Sequence, residues 1–412
     1  MKVLFLYVAS LLPFAAAAQA QLRAVVPQQV PVASDASGSP GVDAGDYVYV
    51  SGQGPHRPDG AMPANFAQQV RQCLDNVRSV VEAAGLTMDH VVYVQVYLED
   101  IHQYGELNPV FAEYFPKIPP ARAVLGVARL PEPSVQITAV AVRDLASKQP
   151  VYPPNFTPDK AYSPGMLTHD RLFISTMPGS DPSNGKVPED PATQVDFALD
   201  RLRAVVEAAG LKLSNMVFVN PYLTRNVPMR IMNERYARRF EFGNTPARAT
   251  IQVSSLPEGV QIAYTGVAVR DLSQRRAVRP KNMPPSPTAS PCVFAGDTLY
   301  CSAKSGFIPG PNGGVYAATV SQQARQTMRN LLDNLEEADM RFDQVVSTVV
   351  YLDDLSDLPV FEKVYRKYFK GILPAQATVQ QIPPAGRKPD EEEQYPDLEQ
   401  MSLIAVRSHP NR

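Results

Sequence analysis

The chain of 412 residues predicts an α+β protein built as three tandem copies of one domain, each a mixed sheet with two helices on one face. Three observations predict it. The same phrases recur: VVEAAGL at 80–86 and again at 205–211, PARAVLGVARLP (120–131) as PARATIQVSSLP (246–257), and AVAVRDL (139–145) as GVAVRDL (266–272). A fainter third copy reads PAQATVQQIPP (374–384) and LIAVRS (403–408). The register is steady, because Ser51, Ser175 and Ser302, and likewise Arg122, Arg248 and Gln376, stand roughly 125 residues apart, a domain-sized period where solenoid repeats run ~20–50 residues. Finally, strands and helices interleave within each copy, which favours helices layered on one face of a single sheet.

In the first copy, Asp46–Ser51 reads as a strand ending in Ser-Gly. Residues 64–84 place Phe66, Val70, Leu74, Val77 and Val81 on one helical face, and Gly85 stops that helix. Val91–Leu98 is β-branched and aromatic, a strand. Leu107–Phe115 is a shorter helix in which Asn108-Pro109 can serve as N-cap and first helical residue. Ala123–Ala128 and Val135–Val142 are the last strands. The order is β-β-α-β-α-β-β, with room for one more short strand before the first helix. The second copy repeats it, with Val195, Leu199, Leu202 and Val206 in one stripe. The third copy has Asp339 in place of the helix-ending glycine and an insertion in its last hairpin, 385–397, whose Asp390-Glu-Glu-Glu run predicts a solvated loop. Residues 146–158 and 273–291 are polar, proline-rich spacers. The resulting domains are 21–147, 148–274 and 275–412. The sheet face away from the helices still carries apolar residues, with Ile137, Val140 and Val142 assigned to it, and needs a cover. Three copies can cover one another as a closed ring.

Composition narrows the classes. A formal net charge of -2 with no basic stripe argues against nucleic acid as a partner. Residues 1–20 read as a signal peptide: Lys2, an apolar run from Val3 to Ala18, and the small-x-small site Ala18-Gln19-Ala20. The expectation is a secreted or periplasmic protein with no membrane contact after cleavage. Cys292 and Cys301 flank a Gly-Asp turn that sets them directly opposite each other, either as a disulfide or as two small buried thiols. Cys73 lies on a helix and reads as core. No Cys/His spacing suggests a metal site.

The motifs VSGQ (50–53), LDNVRSVVEAAG (74–85), PARAVLGVARLP and AVAVRD resemble the Rid (reactive intermediate deaminase, YjgF-type) family, also known as endoribonuclease L-PSP. The resemblance covers roughly 28–145, 158–272 and 286–408. It implies chorismate-mutase-like domains that assemble as homotrimers with ligand clefts between neighbours. This chain looks like such a trimer fused end to end, a monomer acting as a pseudo-trimer.

The resemblance also implies roles. The Arg of the PAR motif binds the substrate carboxylate, as a guanidinium fork can and a Gln cannot. Arg122 and Arg248 match it, whereas Gln376 does not. Ser51, Ser175 and Ser302 match a serine near the ligand, and only Ser51 keeps the glycine after it, Gly52. Asn108 and Asn233 match a cleft-lining Asn, replaced by Glu362 in the third copy. For Asn108 this competes with the N-cap reading. Tyr162 matches a Tyr of the family's first strand, where Gly38 and Ala289 stand in the other copies. The family's acid/base Glu is replaced by Gln136, Ala263 and Gln400. A Gln can orient a water but accepts no proton near neutral pH. A family Cys beside the Arg is replaced by Val124, Thr250 and Thr378, which leaves backbone groups to hold a water.

The expected function is therefore an exported deaminase that hydrolyses small carboxylate-bearing imines or enamines to 2-keto acids and ammonia. Arg122, Arg248, Gln136, Ser51 and Ser175 would be catalytic. Tyr162, Asn108, Asn233, Gly52, Val124 and Thr250 would bind substrate, with no metal or organic cofactor. The rival is a non-catalytic carboxylate-binding or scaffold protein of the same fold. RNA cleavage, which the older family name suggests, fits the neutral charge least.

Overall fold

The computed structural model describes residues 22–28, 37–154, 156, 158–310, 313–382, 388–391 and 394–407. The signal-peptide segment lies outside these, as does part of the insertion at 385–397. The first repeat contains β1 (Arg23–Val25), β2 (Gly41–Asp43), β3 (Tyr47–Gln53), α1 (Phe66–Ala83), β4 (Val91–Leu98), α2 (Tyr104–Tyr114), β5 (Ala121–Gly126) and β6 (Val135–Val142). The second contains β7 (Gln149–Val151), β8 (Gly165–Leu167), β9 (Arg171–Pro178), α3 (Pro191–Ala208), β10 (Met216–Leu223), α4 (Met229–Ala237), β11 (Ala247–Arg248), β12 (Ile251–Gln252) and β13 (Ile262–Val269). The third contains β14 (Arg275–Val278), β15 (Cys292–Ala295), β16 (Thr298–Ser305), β17 (Ile308–Gly310), β18 (Gly313–Val315), α5 (Val320–Glu337), β19 (Val345–Leu352), α6 (Leu358–Tyr365), β20 (Ala375–Gln380) and β21 (Glu399–Val406).

The sheets share one strand order: β1-β2-β3-β6-β4-β5, β7-β8-β9-β13-β10-β11 with β12 also on β10, and β14-β15-β16-β21-β19-β20. Each is mixed, because β4–β5, β10–β11, β10–β12 and β19–β20 run parallel and the other pairs antiparallel. Three edge strands lie where sequence reading differs. The β7 and β14 strands fall within the proline-rich segments expected to be plain spacers, and β1 precedes the expected first strand. Short edge strands need only a few backbone hydrogen bonds and tolerate polar or proline residues.

Helix α1 buries Phe66, Val70, Leu74, Val77 and Val81 against the sheet, the stripe its periodicity predicts. Gly85 ends it at φ +76. Asp339 makes the same left-handed stop at φ +55, a conformation short polar side chains tolerate better than most. Helix α2 starts at Tyr104, earlier than expected. Asp100 accepts a hydrogen bond from His102 N and caps a 3-10 turn, Ile101–Gln103, that runs straight into it. Pro109 therefore sits inside the helix and Asn108 is not its cap.

Strand alternation sorts the two sheet faces. Ile137 packs under the helices, while Val140 and Val142 point the other way, into a cluster shared with the other repeats. This corrects the assignment of all three to one face, which a period of two forbids for residues 137 and 140. The non-helix faces meet. Tyr97, Tyr222 and Tyr351, from equivalent positions, cluster with Leu125, Ile251 and Val379. Fully burying such side chains contributes roughly 1.5–3 kcal/mol each. Contacts run cyclically: β5 meets β9, β11 meets β16, and β20 meets β3. Each seam carries the same backbone bond: Ser163 N to Pro120 O at 3.0 Å, Ser290 N to Pro246 O at 3.1 Å, and Ser39 N to Pro374 O at 3.1 Å.

Cys292 and Cys301 pair across β15 and β16 and form a disulfide. Cys73 is fully buried, and burial pushes its thiol pKa well up, so it is core. Among the described residues no helix is long and apolar enough to cross a membrane.

Candidate active sites at the seams

The first seam joins repeats one and two. Arg122 on β5 is 3% exposed. Its Nη2 donates to Asn108 Oδ1 at 2.7 Å, so Asn108 aims the guanidinium rather than capping a helix. Aromatic rings wall the cation: its Cζ lies 4.7 Å from the Phe111 centroid, 5.2 Å from Tyr162 and 5.9 Å from Tyr104. Tyr162 comes from the second repeat and precedes β8 rather than lying in a strand. Nη1 is buried without a hydrogen-bond partner. Among the described residues, no carboxylate lies within ion-pairing distance of Arg122. Burial lowers its pKa, partly offset by Tyr104 and Tyr162.

The adjoining cleft, about 60 Å³, is lined by Arg122, Val124, Tyr104, Tyr162, Thr176 and Glu258. Two expected water-holding groups are already engaged. Ser175 Oγ accepts from Arg122 N at 2.7 Å and donates to Ser163 O at 2.6 Å, and it is fully buried. It pins the seam and does not face a ligand. Val124 N donates to Thr176 Oγ1 at 3.3 Å. Glu258 is the carboxylate in the lining. Its φ of +60 is sparsely populated for a non-glycine residue and turns the loop before β13 toward the cleft. Burial raises the Tyr162 pKa, so its hydroxyl stays a donor.

The second seam joins repeats two and three. Arg248 Nη1 donates to Asn233 Oδ1 at 2.8 Å, its Cζ lies 5.2 Å from the Tyr236 centroid, and burial lowers its pKa. Arg248 N donates to Ser302 Oγ at 2.8 Å, so Ser302 repeats the part played by Ser175. Ala289 stands where Tyr162 stands in the first seam, and the cleft is larger, about 670 Å³. Thr250 lines it with a buried, unpartnered Oγ1, and Thr250 O accepts from Gln400 Nε2 at 3.1 Å. Lys304 and Asp397 also line it. Asp397 ends the insertion, beyond the Asp390-Glu-Glu-Glu run that was expected to be solvated. Burial pushes its carboxyl up to about 7.

The third seam joins repeats three and one, and it holds Ser51, Gly52 and Gln136. A Cβ on Gly52 would meet Gln136 Oε1 at 2.4 Å, so the glycine makes room for that side chain. Ser51 Oγ donates to Pro40 O at 3.0 Å. On the facing side, Ser37 Oγ lies 2.5 Å from Glu362 Oε1 and 2.8 Å from Gln376 Oε1. Gly38 packs so closely that a Cβ there would meet Gln376 Cβ at 2.9 Å. Ser51, Gly52 and Gln136 thus sit opposite Gln376, away from either arginine. Their expected partnership with Arg122 or Arg248 is corrected by the direction of closure: each PAR strand meets the serine of the following repeat, and the third repeat closes onto the first.

Sequence reading missed Tyr104, Phe111, Thr176, Glu258 and Lys304. One signal was present for Glu258, the Leu-Pro-Glu shared by 130–132 and 256–258. Among the described residues, no group of three His, Cys, Asp or Glu side chains is placed to hold a metal ion.

The model for endoribonuclease L-PSP matches this chain three times, over 28–143, 154–269 and 282–383. A 2-iminobutanoate/2-iminopropanoate deaminase of Escherichia coli is 41% identical over 108 residues, 25% of this chain and 84% of that protein. A RutC family protein of Saccharolobus solfataricus is 41% identical over 106 residues, again 25% of this chain and 84% of the relative. The crystal structure of the YjgF gene product from Escherichia coli covers 29% of this chain and 98% of its own at 36% identity, with a TM-score of 0.28.

Proposed function

The chain belongs to the endoribonuclease L-PSP (Rid) family, carried three times over, and from that premise we propose that it hydrolyses 2-imino or enamino acids to 2-keto acids and ammonia at its two arginine-bearing seams. The observation that carries this is the state of Arg122. A guanidinium is held by Asn108, boxed by three aromatic rings and left with an unpaired buried Nη1. Leaving a charged donor unmet costs on the order of 2–3 kcal/mol, and a carboxylate removes that cost. In the first cleft the substrate reaches Nη1 by displacing the Tyr162 ring. In the second, Ala289 leaves Arg248 without such a cover.

With the carboxylate docked, the imine carbon lies toward Thr176 and Glu258. Water adds to that carbon, Glu258 takes its proton and passes it to the nitrogen, and the carbinolamine collapses, its hydroxyl proton leaving with the amine as ammonia and the keto acid remaining. Glu258 would thereby stand in for the family glutamate, replaced in this seam by Ala263. Because free imines hydrolyse unaided, holding water and imine together supplies much of the acceleration.

The chain acts, in this reading, as a pseudo-trimer in one polypeptide. The homologous names, the triple family match and the cyclic seam contacts support it. Export remains part of the proposal, supported by residues 1–20 and by the Cys292–Cys301 disulfide, which persists in oxidising compartments. Cell fractionation with N-terminal sequencing of the mature protein checks it, and full-length chain in the cytoplasm would contradict it.

The kinetic test is hydrolysis of 2-iminopropanoate generated in situ by an amino acid oxidase. The Arg122→Ala/Arg248→Ala double variant should lose about 100-fold or more in kcat/KM, from ~3 kcal/mol of lost charge-assisted bonding. Equal rates for wild type and variant would refute the proposal. A second reading, carboxylate binding without turnover, is favoured by Ala263 and Gln400 at the family acid/base position. Ligand-induced thermal stabilisation with no rate above background would select it.

A further inference from the structure

Beside its arginine anchor the second cleft is lined by two cations that the first lacks, Arg225 and Lys304. Lys304 lies on β16, two residues beyond Ser302, whose Oγ holds the Arg248 backbone at 2.8 Å. Two residues of strand span about 6–7 Å, so the lysine enters the same cleft from the opposite wall. The first two repeats carry Gln53 and Met177 at this position. Lys304 is half-buried, and among the described residues its ammonium has no hydrogen bond or ion pair. Burial of its stem lowers its pKa, while the ammonium itself keeps contact with solvent. Asp397, the carboxyl lining this cleft, does not neutralise it, because its own pKa is raised to about 7 and it is not within ion-pairing distance. The cleft is also the larger of the two, about 670 Å³ against 60 Å³.

We propose that the second cleft is specialised for diacids: Arg248 takes the carboxylate next to the imine carbon and Lys304 takes a second carboxylate on the substrate side chain. This rests on the reading of Arg248 as a carboxylate anchor. The first cleft, where the equivalent Met177 packs into the core of the second repeat and Tyr162 lies over the arginine, is left to small monocarboxylates.

The test is equilibrium binding by calorimetry, which needs no turnover, on the full chain carrying Arg122→Ala so that only the second cleft is read. The probes are 2-oxoglutarate and 2-oxobutanoate, stable keto-acid counterparts of the imines. The parent should prefer 2-oxoglutarate by about 10-fold. Adding Lys304→Met, the residue the second repeat already accommodates, should collapse that preference, and Lys304→Arg should restore it. An unchanged preference in Lys304→Met, with its thermal midpoint intact, overturns the proposal. If Arg122→Ala alone unfolds, the wild-type chain should show two site classes, of which only one discriminates the probes; two classes with equal selectivity count against it. A lysine-dependent preference with no imine hydrolysis would sink the deaminase reading alone. Hydrolysis without a lysine-dependent preference would sink this inference alone.

Discussion

The first and third seams are built from the same strands in the same order, yet one presents a caged cation and the other a closed polar contact. In the first, Asn108 aims Arg122 and Tyr162 roofs it. In the third, Glu362, Gln376 and Gly38 occupy the corresponding positions, and Ser37 sits between the two polar side chains. The replacements are mutually consistent. An arginine beside Glu362 would be neutralised, and a tyrosine at Gly38 would collide with residue 376. In a homotrimer every seam must change together. In a fused chain one seam can close while the others keep their anchors.

The divergence reaches the core of the third repeat. Where the first repeat packs Cys73 against the Val135 backbone, the third sets Thr327 against Glu399, with Thr327 Oγ1 donating to the carboxyl. Burial pushes the Glu399 carboxyl up to about 8. Apolar packing has been exchanged there for a buried acid, at some cost in stability at alkaline pH.

The comparison can be broken most severely at Glu258. If the first seam is catalytic because this carboxylate reaches it, Glu258→Gln in a chain carrying Arg248→Ala, where only the first seam turns over, should lower kcat by roughly 30-fold, below the 10²–10⁴ usual for a fully enclosed base because the residue is exposed. KM should change little. A fall in KM affinity with kcat preserved would make it a binding residue instead.

Gln376→Arg together with Glu362→Asn sharpens it from the other side. The pair should give the third seam a carboxylate anchor and raise the number of keto-acid sites per chain from two to three. Gln376→Arg alone should not, since Glu362 remains to pair with it. A third site in the single variant would show that Glu362 is not what closes the seam.

The smallest expected effect is on stability. Between about pH 4 and pH 8 the folded chain retains the Glu399 proton that the unfolded chain releases, so stability should fall as pH rises through that window and level off above it. Asp397, raised to about 7, adds in the same sense. Glu399→Gln keeps the bond from Thr327 and should raise the thermal midpoint by several degrees at pH 8, the gain vanishing near pH 4. Parallel pH profiles for variant and wild type would remove the buried acid from the account.

Much of this was legible in the chain because its signals are local. The stripe Phe66–Val81, the stop at Gly85, the run Val91–Leu98 and the opposed cysteines follow from periodicity and turn chemistry within a few residues. The pairing of Asn108 with Arg122 follows from family motifs, though Asn108-Pro109 also reads as a cap until Asp100 is seen to start the helix earlier. The seams were not legible. A ring of three repeats can close in either direction, and only the fold shows that Ser175 faces Arg122, Ser302 faces Arg248, and Ser51 faces Gln376. Glu258 was hidden for a related reason: a loop residue at positive φ points across a boundary that sequence spacing does not encode.

The central claim is that one polypeptide carries two carboxylate-anchoring seams and one that has lost its anchor. Calorimetric titration of the purified chain with 2-oxobutanoate and with 2-oxoglutarate counts the sites directly. The account predicts two sites per chain in the wild type, one in each of Arg122→Ala and Arg248→Ala, and none in the double variant. Three sites in the wild type, or binding that survives loss of both arginines, would contradict it.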